Sequence, residues 1–247
     1  MPTTREKERA AAHGRAPSVT GSNDFLAAQQ RAVRLTEILE KEHGTPDLGN
    51  LPDPLEELVW IALTRQTHRL NAVRSWAALR ARYPTLQDVL EAPEGELREV
   101  LRPAGFSTQK ARWIQASLVR VAEAFGSLTS EPLRAMADDE AERFLSNLPG
   151  VNLKSAKCVL LYSLGRQVLP VDTHLRRLAE RVGLVERGLS EHRIHQSLEA
   201  IVPPTLRYAL HVNAIPHGRM FCTALRPHCA ACPVAALCDH ARRSAGS

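Results

Sequence analysis

A turn that leads directly into a helix carries the residues of this sequence best suited to chemistry. Leu148-Pro149-Gly150 is followed by Val151-Asn152-Leu153-Lys154. Proline presets one turn dihedral and Gly150 permits a positive φ, so the amides of the turn and of the new helix point outward together. Such a group of amides binds anions, and the phosphate of a nucleic acid is the anion that we expect here.

Two side chains near this turn could take part in a reaction. Lys154 lies in the first turn of the predicted helix, where the positive end of the helix dipole disfavours the charged ammonium and favours the neutral amine. A neutral amine beside a phosphate-binding turn indicates Schiff-base chemistry on a sugar. Asp172, in Val171-Asp172-Thr173-His174, is the candidate carboxylate. Taken singly, Lys154 also fits a solvated or phosphate-contacting lysine, and Asp172 fits the N-cap of a helix that begins at Thr173.

Four of the five cysteines lie close together near the carboxyl end of the chain. Their spacing is Cys-x6-Cys-x2-Cys-x5-Cys, formed by Cys222, Cys229, Cys232 and Cys238. Four converging thiolates suit a 4Fe–4S cluster, whereas zinc sites usually pair two C-x-x-C motifs across a longer span. The spacing therefore favours an iron–sulfur cluster, with zinc as the alternative. The fifth cysteine, Cys158, is interpreted as a small core residue.

Length and charge describe an ordinary globular chain with a possible nucleic-acid partner. The 247 residues carry a net charge of +5, which suits one or two domains and contact with phosphates. The amino terminus lacks the apolar segment of a secretory signal, and no apolar run reaches the ~18 residues of a membrane span. Clustered cysteines indicate a reducing compartment. We expect a cytoplasmic, nucleoid-associated protein without a membrane segment.

Helical periodicity without alternating strands predicts an all-α fold. A first helix ends at His43-Gly44, and a second, apolar on most sides, begins at Asp53-Pro54 with Glu56 reaching back to the cap. The next helix has its apolar positions at Leu70, Val73, Trp76 and Leu79. Thr108 is predicted to cap the helix that ends at Gly126. Further helices are predicted around residues 86–92, 94–101, 138–145, 153–165, 173–182, 190–201 and 205–215.

Three motifs together resemble the endonuclease III family of helix-hairpin-helix DNA glycosylases. They are Leu148-Pro149-Gly150-Val151 with Lys154, Val171-Asp172-Thr173-His174, and His217-Gly218-Arg219 ahead of the cysteines. The resemblance covers roughly residues 28–240 in continuous order. It implies two helical domains that flank a DNA-binding cleft. One is a six-helix barrel at residues 48–166 with the hairpin at 148–153, and the other is an iron–sulfur cluster domain at residues 23–47 and 167–241. Residues 1–22 and 242–247 are expected to be tails.

The resemblance also implies an activity. Lys154 matches the family nucleophile, which attacks C1′ of a flipped nucleotide, and Asp172 matches the catalytic carboxylate. β-Elimination from the resulting imine would cut the strand. The implied protein is a monomeric, bifunctional DNA glycosylase/AP lyase with a 4Fe–4S cluster, and it removes oxidised pyrimidines from duplex DNA.

Six residues match positions that contact DNA in the family. Gln66 would fill the space left by the flipped nucleotide, and Phe106 would wedge into the base stack. Gly150 and Asn152 belong to the hairpin, while His174 and Arg226 would meet phosphates. Simpler interpretations remain open: Gln66 as a polar helix end, Phe106 as a packing residue, and His174 as a residue of the domain junction.

The sequence departs from the family near the expected cleft. Asn152 stands where a second hairpin glycine is usual, and the turn can survive this change because asparagine tolerates the left-handed region better than most residues. Arg65 replaces a small residue before Gln66, and Thr67-His68-Arg69 replaces a small residue and an acidic helix start. Two alternatives stay open. One is a monofunctional or mismatch-directed glycosylase, although such relatives generally lack a lysine at the position of Lys154. The other is a damage-binding protein with weak catalysis, which the altered residues around Gln66 keep open.

Overall fold

The computed structural model describes residues 22–245, and in this range the chain forms α-helices and no strand. The predicted all-α fold is confirmed. Except for Ser22, the predicted amino-terminal tail lies outside the described residues. No helix in the described range is both long and apolar enough to cross a membrane. The helices are α1 (Ser22–His43), α2 (Pro54–Thr64), α3 (Arg69–Arg82), α4 (Leu86–Glu91), α5 (Glu94–Val100), α6 (Ser107–Phe125), α7 (Glu131–Ala135), α8 (Asp138–Ser146), α9 (Leu153–Tyr162), α10 (Thr173–Val182), α11 (Glu191–Ile201), α12 (Arg207–Met220) and α13 (Asp239–Ala245).

The chain divides into two compact units. The middle unit is Asp47–Pro170, and the terminal unit combines the chain up to Pro46 with the chain from Val171 onward. Lys154 belongs to the middle unit, whereas Asp172 and the four clustered cysteines belong to the terminal unit.

Helix α2 is the central helix of the middle unit, as its sequence predicted. Leu58 and Ile61 pack into one hydrophobic core, and Val59 and Leu63, from other positions on the same helix, pack into a second core. Asp53 caps the helix, because its Oδ1 accepts hydrogen bonds from two amides of the first turn at 2.9 and 3.0 Å. A helix buried on more than one face must be apolar on most sides, which explains its composition.

Three details of the predicted middle unit are wrong. Leu70 and Val73 are 61% and 46% exposed, because α3 turns Ala72, Ser75 and Leu79 toward the core. Thr108 does not cap α6, since that helix begins one residue earlier with left-handed Phe106 as its N-cap. Glu56 does not reach back to its own cap but pairs with Arg80, with 3.2 Å between Oε1 and Nη2. Each difference depends on a neighbouring element that periodicity does not reveal.

In the terminal unit, α1 and α10 both pack against α12. Helix α12 extends to Met220, beyond the predicted end at 215, and contains Pro216. The amides of Phe221 and Cys222 both donate to His217 O at 2.9 Å, which closes the helix directly before the cysteine loop. Of the predicted tail at 242–247, residues 242–245 belong to α13, and the last two residues lie outside the described residues. Asp239 in the first turn of α13 pairs with Arg31 at 3.2 Å, which attaches this last helix to α1.

Candidate active site and cysteine loop

Side chains from two other helices hold the turn at Pro149-Gly150. Gly150 has a φ of +75°, so the predicted left-handed glycine is confirmed. Ser117 Oγ donates to Pro149 O at 3.0 Å, and the Arg65 guanidinium donates to Gly150 O. The same guanidinium lies over the Trp113 ring, 5.1 Å from its centroid. Arg65 therefore braces the turn that precedes Lys154.

Replacing Gly150 with alanine is expected to lower the free energy of unfolding by about 2–4 kcal/mol, as the sum of left-handed strain and overpacking. A Cβ at this position would lie 2.4 Å from Trp113 Cδ2, and the φ of +75° would remain. Chemical denaturation measures the loss. Gly165→Ala is the control, because Gly165 has a φ of +63° but no atom within 4 Å of an added Cβ. Equal losses for both variants would contradict the role of Trp113.

Asn152 is the N-cap of α9 and does not occupy the left-handed region. Its φ of −101° and ψ of 172° are extended, and its Oδ1 accepts a hydrogen bond from Ser155 N at 3.0 Å. The turn therefore forms without a left-handed asparagine. Gly150 alone supplies the positive φ of the turn, so the next position is available for a capping side chain.

Lys154 lies in the first turn of α9 and is half-buried. The positive charge of Lys154 interacts with the fully buried carboxylate of Glu57, on α2. Burial raises the pKa of Glu57 to about 7, against opposing contributions from the amide of Leu51, the side chain of Asn50 and the Lys154 charge. Leu51 N and Asn50 Nδ2 both donate to this carboxylate at 2.7 Å. The sequence did not single out Glu57, because an acidic residue in an otherwise apolar helix is expected to be exposed to solvent.

Glu57→Gln is expected to raise the melting temperature relative to wild type increasingly between pH 5 and pH 8. The folded state holds the Glu57 proton up to about pH 7, whereas the unfolded chain releases it near the ordinary value of 4.5. The wild type therefore loses stability as the pH rises through this window, by at most roughly 3 kcal/mol. Glutamine keeps the neutral form, and the Asn50 amide can rotate to serve it. Melting curves at several pH values measure the difference, and a constant difference would contradict the prediction.

Asp172 caps α10 in the terminal unit. Its Oδ1 accepts hydrogen bonds from His174 N at 2.9 Å and Leu175 N at 2.8 Å. The N-cap interpretation is therefore confirmed, while a catalytic role for the same carboxylate stays a prediction. Capping by one oxygen fixes the orientation of the carboxylate at the start of the helix.

His174 packs against α12 in the terminal unit. A Cβ on Gly218 would lie 2.5 Å from His174 Nδ1, so only glycine permits this approach. Arg177 Nη2 lies 3.2 Å from the same Nδ1 and donates to Gly218 O at 3.0 Å. Burial lowers the pKa of His174, so the imidazole is neutral at physiological pH. The packing explains why His174 and Gly218 occur together, and the phosphate contact stays a prediction.

Gln66 and Phe106 share an uncommon conformation in the middle unit. Gln66 has a φ of +51° and Phe106 a φ of +49°, a region that residues other than glycine seldom adopt. Gln66 is exposed, and Phe106 is 62% exposed, so the packing interpretation of Phe106 is wrong. Strained residues with exposed side chains often mark binding sites. Their DNA contacts stay predictions.

The residues after Gln66 form a basic start of α3 where the family usually has an acidic one. His68 is the N-cap of α3 but forms no capping hydrogen bond through its side chain. Arg69 Nη1 donates to Leu48 O at 3.1 Å, which ties the start of α3 to the loop before α2. The departure from the family pattern therefore gives a basic helix start whose arginine has a structural contact.

All four clustered cysteines line one small cavity in the terminal unit, with apolar walls from Leu178, Phe221 and Val234. Cys222 and Cys238 are 7% exposed, and Cys229 and Cys232 are half-buried. Within residues 22–245, no three His, Cys, Asp or Glu side chains are arranged closely enough to hold a metal ion. The four sulfurs therefore share a cavity without forming a ligand set in this structure.

Polar groups of the terminal unit surround the cysteine sulfurs. Arg181 Nη1 lies 3.3 Å from Cys222 Sγ, and Arg181 also donates to the loop carbonyls of Thr223 and Ala224 at 2.7 and 2.9 Å. His217 Nε2 lies 3.6 Å from Cys232 Sγ. Burial lowers the pKa of His217 to about 4 and raises the pKa of Cys232 to about 11. A neutral imidazole and a loop-binding arginine thus surround an apolar, thiol-lined cavity.

The loop between the first two clustered cysteines presents two exposed side chains. Leu225 is 94% exposed, and Arg226 next to it is also exposed. Thr223 Oγ1 donates to Arg226 O at 2.6 Å, which fixes the backbone while the guanidinium faces solvent. Arg226 is accessible to a phosphate, although its predicted contact is not tested by this geometry.

The hairpin turn, the helical fold and the cysteine spacing together define a helix-hairpin-helix DNA repair protein. The family profile described as "HhH-GPD superfamily base excision DNA repair protein" matches residues 59–204. The chain therefore belongs to the HhH-GPD superfamily.

Similar sequences support this membership. Endonuclease III of Synechocystis is 30% identical over 89% of this chain and 97% of its own length. Two Arabidopsis thaliana proteins are also similar: At3g47830, which carries the name of a DNA glycosylase, is 31% identical over 67% of the chain, and DNA glycosylase/AP lyase ROS1 is 32% identical over 73%. The chain spans only 57% and 14% of these two plant proteins.

Solved structures support the same fold. A trapped endonuclease III–DNA covalent intermediate matches with a TM-score of 0.77 and 26% identity, covering 88% of this chain and 98% of that one. A thermostable thymine-DNA glycosylase matches with a TM-score of 0.72 at 18% identity, covering 88% and 99% of the two chains, and shows the fold alone.

Proposed function

We propose that this protein is a bifunctional DNA glycosylase/AP lyase that removes oxidised pyrimidines from duplex DNA. The observation that carries the proposal is the place of Lys154, in the first turn of α9 directly after the left-handed Gly150. The relationship to endonuclease III supports the same activity, and the trapped covalent DNA intermediate of that protein supports an attacking side chain in this fold.

In the proposed reaction, the neutral amine of Lys154 attacks C1′ of a nucleotide that has left the base stack. The bond between C1′ and the base breaks, and the base leaves with the bonding electrons and a proton. Opening of the sugar ring then gives an imine between Lys154 and C1′. The imine acidifies the C2′ proton, whose removal expels the 3′ phosphate oxygen and cuts the strand. Hydrolysis of the imine returns the free lysine.

Asp172 supplies the negative charge of the proposed mechanism. Its carboxylate would accept the proton that Lys154 loses, and it would stabilise the cationic sugar as the base departs. Its Oδ1 is oriented by two amides of α10, which fixes the carboxylate relative to the helix that carries it.

The proposed DNA contacts use the turns and loops that both units expose. Gln66 would occupy the gap left by the flipped nucleotide, and Phe106 would wedge between bases. The amides that follow Gly150 would bind a phosphate at the positive end of α9, capped by Asn152. His174 would contribute a neutral imidazole and Arg226 a permanent charge to phosphate contacts.

We further propose that Cys222, Cys229, Cys232 and Cys238 hold a 4Fe–4S cluster. A small cavity lined by four thiols, two of them buried and two half-buried, suits such a cluster, because each iron needs one cysteine sulfur. When bound, the cluster would hold the loop that carries Arg226 in one conformation. Arg181 would support the same loop through its carbonyl contacts.

The cluster assignment is tested on the purified protein without any DNA. We expect about four irons per chain and broad absorbance near ~410 nm. A colourless protein with one zinc per chain would reject the iron–sulfur assignment and favour the zinc alternative.

The activity is tested by single-turnover assays on matched duplexes that contain an oxidised pyrimidine, a preformed abasic site or a G·T mismatch. We expect base release and strand cleavage with the oxidised pyrimidine, and trapping of the covalent adduct by borohydride. Base release from the mismatch alone, without an adduct, would favour the monofunctional alternative. Tight binding of abasic duplex without cleavage would favour a damage-binding protein. The residues around Gln66 that depart from the family, Arg65 and Thr67-His68-Arg69, are the specific basis for this alternative.

Gel filtration tests the proposed monomer, and imaging of a tagged chain tests the proposed association with the nucleoid.

A further inference from the structure

A buried lysine joins the two turns that carry Gln66 and Phe106. Lys110, in the first turn of α6, is 2% exposed. Its ammonium donates to Leu63 O at 2.9 Å, to Ala104 O at 2.9 Å and to Thr67 Oγ1 at 2.5 Å. All three protons of the ammonium therefore bond to acceptors on different segments, and none bonds within its own helix. Burial of an ammonium costs free energy unless its protons are hydrogen-bonded, and here all three are. A lysine bonded in this way holds together the segments that carry its acceptors.

The three acceptors lie immediately beside the two left-handed residues. Leu63 O is one of the last carbonyls of α2, which have no partner inside the helix and favour a cation. Thr67 directly follows Gln66, and its Oγ1 also donates to Ala104 O at 2.7 Å. Ala104 lies two residues before Phe106 on the other segment. The bonds of Lys110 and Thr67 thus connect both turns through a single junction.

We propose that Lys110 is a positioning residue that locks the Gln66 turn to the Phe106 turn, so that both side chains enter the duplex from one rigid surface. The proposal rests on the proposed function, since it assigns Gln66 and Phe106 to opening the base stack. A φ near +50° at two residues other than glycine is unfavourable, and it persists because the surrounding bonds leave the turns no alternative. Thr67, which replaces a small residue, acquires a role as the hydroxyl bridge in this junction.

The test separates positioning from chemistry by comparing two abasic substrates. In a duplex, the nucleotide must be extruded and the gap filled, whereas a single-stranded abasic oligonucleotide needs neither step. For Lys110→Met, we expect the rate of borohydride-trapped adduct formation to fall roughly 10-fold to 100-fold on the duplex, since small displacements of positioning groups cost this much. The rate on the single strand is expected to stay within about twofold of wild type. An equal loss on both substrates, or no loss on either, would overturn the proposal.

Two further variants complete the design. Lys157→Met is the matched control, because Lys157 is also buried, at 4% exposure, but pairs with Glu142 at 2.7 Å, away from both turns. It should show no selective loss on the duplex. Thr67→Val removes only the hydroxyl bridge between Lys110 and Ala104. It tests the same junction if Lys110→Met does not fold. It should reproduce the selective duplex loss in milder form, and a wild-type ratio between the two substrates would overturn the proposal.

A readout without catalysis distinguishes failure of this proposal from failure of the proposed function. The DNA is a duplex with a tetrahydrofuran abasic analogue opposite 2-aminopurine, whose fluorescence reports unstacking. We expect wild type to raise the fluorescence and Lys110→Met to raise it much less at saturating protein. If wild type forms no adduct on either abasic substrate, the lyase function fails, and this fluorescence difference still decides the positioning role. Equal fluorescence for both proteins would overturn it.

Discussion

Replacing Lys154 with glutamine is expected to abolish the borohydride-trapped adduct and to lower strand cleavage at a preformed abasic site by at least roughly 10³-fold. Glutamine keeps a neutral polar side chain at the start of α9 but has no amine to attack C1′. Binding of abasic duplex should remain within a fewfold of wild type, because the Gly150 turn and the Asn152 cap do not depend on the lysine side chain. Trapping gels and single-turnover cleavage measure the two effects.

The same helix supplies a control for Lys154→Gln. Lys157→Gln removes a buried lysine one turn further along α9 and leaves the proposed nucleophile in place. This variant should keep the adduct. If Lys154→Gln retained the adduct, another amine would be the nucleophile and the proposed mechanism would be rejected.

Asp172→Asn is expected to lower the rate of base excision by roughly 10²-fold to 10⁴-fold while leaving the fold intact. Asparagine caps helices as well as aspartate does, and its Oδ1 can accept the same two amide hydrogen bonds. The substitution therefore removes the carboxylate charge and keeps the cap. The loss should be smaller on a preformed abasic site, where no base departs. Single-turnover excision and melting temperature, measured together, separate the two roles of this residue.

Asp53→Asn is the matched control for Asp172→Asn. Asp53 caps α2 in the same way, with its Oδ1 accepting from two amides of the first turn. If the charge of an N-cap mattered only for stability, both variants would shift the melting temperature and neither would change excision. Unchanged excision in Asp172→Asn would show that its carboxylate is a cap only.

The sequence predicted the parts of this protein that depend on local structure. The left-handed Gly150, the cap at Asp53 and the end of α6 at Gly126 follow from backbone preferences of the residues themselves. The central position of α2 followed from its composition, because a helix that is apolar all round must be buried all round. Motif spacing along the chain likewise indicated the endonuclease III relationship, which the family profile confirms.

Differences from the sequence prediction arose where a residue or a helix face had two options and a contact with another group selected between them. Asn152 suited both a left-handed turn and an extended cap, and the free amide of Ser155 selected the cap. Leu70 and Val73 are spaced as part of a core face with Leu79, yet α3 buries Leu79 and its small residues and leaves Leu70 and Val73 exposed. Periodicity reports that a face exists, whereas the neighbouring helices decide which face is buried.

Sequence alone therefore determined the helical fold, the hairpin, the family and the residues proposed for chemistry, since each rests on local propensity or on spacing along the chain. Only the tertiary structure decided what surrounds them. Three features depend on it: the buried carboxylate of Glu57 near Lys154, the packing of Trp113 against Gly150, and the junction at Lys110. They join residues at least 37 positions apart, except for the bond from Lys110 to Ala104. Burial and long-range hydrogen bonding give these side chains their properties, and neither exists before the chain has folded.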